Sequence, residues 1–145
     1  MAPLQKRAFF GLAFGVVWIA AMITVFLLKG GAQAFDQDAN FRLLVDGLWI
    51  GGLLVYLALF AGITRKQSKF DERDKLILDR SSRVQWLATL FSLVAWIIGL
   101  SEFYRSEGQI PIIFLYVIFI FILAMGSVAQ SAGILIGYWR MNRNG

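Results

Sequence analysis

Asp46 stands inside a long apolar run, with Arg42 four residues before it at the i,i+4 spacing that lets two helical side chains meet. Two chemistries fit this arrangement: an interfacial ion pair that lowers the cost of both charges, or a cation or proton site on a transport pathway. Gln130 is the other polar side chain set deep in apolar surroundings. An amide in such a place takes a hydrogen bond from a neighbouring helix, worth about 0.6–2 kcal/mol, or contacts a substrate. A third feature is the charge cluster Asp71, Glu72, Arg73 and Asp74, followed by Lys75, Asp79, Arg80 and Arg83. No nucleophile or metal-ligand set stands beside it. It reads as a docking surface for a protein partner or anionic lipid, or as a solvated, salt-bridged stalk.

The chemistry excluded is as informative. The 145 residues include no cysteine and no histidine. Disulfides, thiol redox steps, cysteine nucleophiles, histidine acid–base catalysis and most zinc, copper or haem ligation are thereby removed. The run Asp36-Gln37-Asp38-Ala39-Asn40 imitates the start of a calcium-binding EF-hand loop, but Phe41 stands where that loop needs glycine and Gly47 where it needs a bidentate glutamate. No catalytic residue, cofactor or metal ligand is assigned, and the reading is non-enzymatic.

These residues are embedded in a chain that is 59% hydrophobic and only 16% charged, with a mean hydropathy of +0.68. Soluble domains carry about 25% charged residues, so lipid is the expected solvent. Four stretches approach or exceed the roughly 20 apolar residues that cross a hydrocarbon core: 8–28, 41–63, 84–101 and 112–137, joined on one side by the connection 64–83. Each must be helical, because a lone strand would leave backbone groups unpaired in lipid. The expected fold is an all-α, polytopic four-helix bundle forming a single membrane domain over 1–145. With the N-terminus inside, Lys6, Arg7, Arg65, Lys66, Lys69, Arg73, Lys75, Arg80, Arg83, Arg140 and Arg143 are cytoplasmic, and only Lys29, Arg42 and Arg105 lie outside. Eleven against three predicts both termini in the cytoplasm. The net charge of +5 is then a property of cytoplasmic flanks and calls for no nucleic acid. Trp86 and Trp139 fit an inner aromatic belt. Lys6-Arg7, the apolar run and Ala32-Gln33-Ala34 resemble the parts of a secretory signal peptide, but the apolar stretch of 21 residues is longer than a signal core of about 7–15. An uncleaved signal-anchor helix is expected.

Within the connection, Ser68 followed by Asp71 fits a helix N-cap pattern, and Asp71–Lys75 and Asp79–Arg83 are acid-before-base pairs that favour helix. Phe70, Ile77 and Val84 recur every seven residues as a narrow apolar edge. The pattern predicts a helix from about Lys69 running into the third span, with a bend at Ser81-Ser82. Small residues at four-residue spacing, Gly11 and Gly15, Gly47 and Gly51, and Ala129, Gly133 and Gly137, predict contact faces within the bundle or between copies of the chain.

Phe70-Asp71-Glu72-Arg73-Asp74-Lys75-Leu76-Ile77, followed by Arg83 and an apolar span, resembles a group of small uncharacterised prokaryotic inner-membrane proteins marked by an Asp-Glu-Arg-Asp stretch before a transmembrane helix. The resemblance covers 70–100 and implies a prokaryotic inner membrane without implying an activity. The chain lacks the first-span glutamate of small multidrug transporters, and its charge bias conflicts with the dual topology of fluoride channels. The expectation is an accessory or interaction subunit that uses the 69–83 helix, with Asp71, Glu72, Arg73 and Asp74 at its tip. The alternative is a small transporter or channel with Asp46 and Gln130 on its pathway.

Overall fold

A computed structural model describes residues 2–65 and 71–143, without the side chains at 33, 36, 60 and 62–65. It is built from α1 (Pro3–Leu28), the short α2 (Gly31–Gln37), α3 (Ala39–Arg65), α4 (Glu72–Phe103) and α5 (Ile113–Arg143). Among the described residues, α1, α3, α4 and α5 are long and apolar enough to cross a membrane. Their outward faces are apolar too: Leu28, Leu43, Phe91, Phe103 and Leu115 are all more than two-thirds exposed. So much bare hydrocarbon surface is a liability in water and is matched to lipid.

The core is organised around α5, which packs along α1 on one side and α4 on the other. Glycine and serine make both approaches close. Against α1, a Cβ at Gly11 would come 2.6 Å from Ser131 Oγ, and one at Gly15 would come 2.6 Å from Val128 Cγ2. The Ser127 hydroxyl donates to the Gly11 carbonyl at 3.1 Å. Against α4, a Cβ at Gly133 would meet Ser81 Cβ at 3.0 Å, and one at Gly137 would meet Ile77 Cγ2 at 2.9 Å. The predicted glycine faces on α1 and α5 are therefore used, and Ala129, third member of the α5 seam, lines the open groove between α4 and α5.

Helix α3 departs from expectation. Nothing lies within 4 Å of a Cβ at Gly47 or Gly51, so neither is a contact within the bundle. Gly52 makes the approach instead: a Cβ there would overlap the Trp18 indole, whose Nε1 donates to the Leu48 carbonyl at 3.2 Å. Apart from this seat, α3 meets α1 and α5 sparsely. The Trp49–Phe119 ring contact, with centroids 5.5 Å apart, fixes its register against α5.

The two ends differ in chemistry. At one, Leu4, Ala8, Ile77, Leu78, Ile134 and Tyr138 form a buried cluster beneath a rim of arginines. At the other, Phe35 of α2 packs on Phe41 and Tyr116, and Tyr104 packs on Phe114 after α4 ends. The short connection between α1 and α3 thus contains a helix, entered through positive-φ Gly30 and Gly31. Its Asp38 carboxylate accepts from the Asn40 amide at 2.9 Å, so this member of the calcium-like run serves the start of α3.

Candidate functional site at the basic end

The first turns of α4 and the last turns of α5 build this end. Helix α4 begins at Glu72, and Asp71 is its N-cap, its carboxylate accepting from the Glu72 amide at 2.7 Å. Ser68, Lys69 and Phe70, expected as cap, helix start and apolar edge, lie outside the described residues. Glu72 and Asp74 in the first turn complement the positive end of the helix dipole. The helix runs unbroken through Ser81 and Ser82, whose hydroxyls both donate to the Leu78 carbonyl, at 2.8 and 2.9 Å. Ile77, Leu78 and Ser81 form the buried edge, whereas Val84, expected on it, is about half exposed. Of the two predicted ion pairs, Asp79–Arg83 forms at 2.7 Å; Asp71 and Lys75 are joined through the backbone alone.

The four residues of the cluster separate into two kinds. Asp71 caps the helix, and Asp74 accepts a hydrogen bond from the Tyr138 hydroxyl, which ties α4 to α5. Glu72 and Arg73 are exposed and have no ion-pair partner among the described residues. They also line an open groove of about 930 Å³ between α4 and α5, together with Arg80, Val84, Ala129, Ala132, Ile136 and Arg140. Arg80 and Arg140 were not singled out from the sequence. The signal was present: Arg73, Arg80 and Val84 recur at seven and four residues, one face of a helix, but that face acquires meaning only once α5 lies beside it.

The interior candidates do not meet. Gln130 lines a cleft of about 150 Å³ among α1, α3 and α5, with Arg7, Tyr56, Ser127 and Ser131. Asp46 is partly buried near the opposite end of α3 and forms no ion pair with Arg42. Taking Trp49 as level with Phe119, Asp46 and Gln130 are separated by about 20 Å along the bundle axis. Tyr56, in contrast, meets the Gln85 side chain across the α3–α4 gap, a polar link that no motif announced. Trp86 and Trp139 both face outward, 70% and 59% exposed. With Ile77 opposite Gly137 and Ser81 opposite Gly133, however, Trp86 sits about 16 Å from the level of Trp139, so the two do not share one belt.

No protein-family model, curated protein or solved structure matches this chain.

Proposed function

We propose that the chain is a multi-pass protein of a prokaryotic inner membrane, with both termini cytoplasmic. On this reading it is a non-enzymatic accessory or interaction subunit that docks a protein partner at the start of α4. The observation that carries the reading is the length of the paired helices. At 32 and 31 residues, α4 and α5 are about 48 and 46 Å long, against a hydrocarbon core of about 30 Å. The excess is gathered at the basic end, where Asp74–Tyr138 holds the two helices together as a stub. The stub presents Glu72 and Arg73, charged side chains without an ion-pair partner among the described residues, on a helical base. The eleven-to-three distribution of basic residues and the resemblance of 70–100 to inner-membrane proteins support its placement in the cytoplasm.

A photo-crosslinking amino acid placed at Glu72 or Arg73 in native cells tests the proposal. The expected result is a discrete adduct of one mass, absent when the probe is at Phe103 at the other end and lost when Glu72→Lys is combined with Arg73→Glu. No adduct at either position, together with normal growth of the charge-reversed strain, overturns it.

A further inference from the structure

We propose that the groove between α4 and α5 is a binding site for one anionic phospholipid of the leaflet at the basic end. This inference rests on the membrane reading and not on the docking of a protein at Glu72. The groove has a two-part chemistry arranged along the bundle axis. Its inner stretch is floored by Ala129, Ala132 and Gly133 and walled by Val84 and Ile136, apolar groups with no competing donor. Its outer stretch is lined by Arg73 and Arg140 against a single acid, Glu72, and Arg80 stands where the two stretches meet. An acyl chain fits the first and a phosphate the second. A soluble anion would leave the apolar stretch bare, and a zwitterionic headgroup would leave the positive charge unbalanced.

Arginine pairing strengthens the case. Arg83, on the neighbouring face of α4, spends its charge on Asp79 at 2.7 Å. None of the three groove arginines is within ion-pair distance of a carboxylate among the described residues. Their placement is convergent. Side chains on a helix lean toward its N-terminus, so Arg80 leans toward the basic end while Arg140, on the antiparallel α5, leans down toward it. A phosphate between them meets two planar guanidinium groups, each capable of two parallel N–H donors. The floor remains open because Gly133 and Gly137 bring the two helix backbones together, while Ala129 and Ala132 carry only a methyl group into the space beside that line of contact.

Native mass spectrometry of the protein reconstituted in nanodiscs of phosphatidylglycerol and phosphatidylethanolamine tests this. The wild-type chain is expected to retain one phosphatidylglycerol with about a tenfold preference over phosphatidylethanolamine, since basic residues at a membrane surface each add to the affinity for anionic lipid. Arg80→Gln with Arg140→Gln should abolish the preference, and Arg83→Gln should leave it intact. Ala132→Leu, which fills the floor without touching a charge, should reduce retention of the lipid. Equal retention of both lipids by the wild type, or an Arg83→Gln effect as large as that of the double variant, overturns the proposal. So does retention of inorganic phosphate by delipidated protein with no preference among lipids. Glu72 and Arg73 keep their native side chains in every variant here, and the readout is retained lipid and not a protein adduct, so failure here and failure of the docking proposal are read separately.

Discussion

The Tyr138 hydroxyl donates to the Asp74 carboxylate at the point where α4 and α5 leave the bundle. The tyrosine ring is buried against Leu4, Ala8, Ile77 and Ile134, while the carboxylate is only partly covered. Hydrogen bonds to a charged acceptor contribute about 1.5–3 kcal/mol when shielded and less as water competes. Tyr138→Phe keeps the ring and removes the donor, so it should cost about 1–2 kcal/mol, read as a fall of several degrees in the melting temperature of the detergent-purified protein. Asp79→Asn breaks the exposed pair with Arg83 and should cost under about 0.5 kcal/mol, because both partners are largely solvated. Equal effects of the two substitutions would show that Asp74–Tyr138 is no more than a surface contact.

At the scale of elements, α3 differs from the others. It is long and apolar, yet its purchase on the bundle concentrates where the Trp18 indole sits against Gly52 and donates to the Leu48 carbonyl. A methyl group at 52 would overlap that indole, whereas one at 51 would meet nothing within 4 Å. Gly52→Ala should therefore destabilise the protein by about 1–3 kcal/mol, the usual cost of overpacking a tight contact. Gly51→Ala should leave thermal stability unchanged or raise it slightly, since alanine is the better helix former. The adjacent pair makes the measurement self-controlled. It also shows what sequence could and could not deliver. Four apolar runs were enough to predict four long helices, because each is about as long as a spanning helix and a lone strand would leave its backbone unpaired in hydrocarbon. Gly11, Gly15, Gly133 and Gly137 were found by their spacing. The same spacing chose Gly47 and Gly51 over Gly52, because period alone marks a face and not which face has a neighbour. Arg80 and Arg140 were passed over for a related reason: they are 60 residues apart in the chain, and only the antiparallel α4–α5 register joins them.

For the whole molecule, the arrangement around α5 bears on whether the first helix stays. Cleavage after Ala34 would discard α1 and most of α2. Helix α1 is half of the principal packing of α5: Gly11 and Gly15 seat Ser131 and Val128, and Ser127 bonds the Gly11 carbonyl. Trp18 and Met22 share a buried cluster with Phe35, Phe41, Val45 and Ile120, and Trp18 is also the seat of α3. A chain starting at Phe35 would keep α4 on α5, lose the anchor of α3, and turn the Ser127–Ser131 face of α5, polar and lined with small residues, toward lipid. Polar groups without an internal partner are costly there, so the remaining three long helices should not form a stable unit. Protein extracted from membranes is accordingly expected to keep the residues before Phe35, as read by peptide mapping of the N-terminal region. A version truncated to begin at Phe35 behind an unrelated cleavable signal should be degraded or aggregate. Accumulation of a folded, monodisperse protein with a new N-terminus at Phe35 would overturn this, and would mean that α5 finds its second partner in another chain.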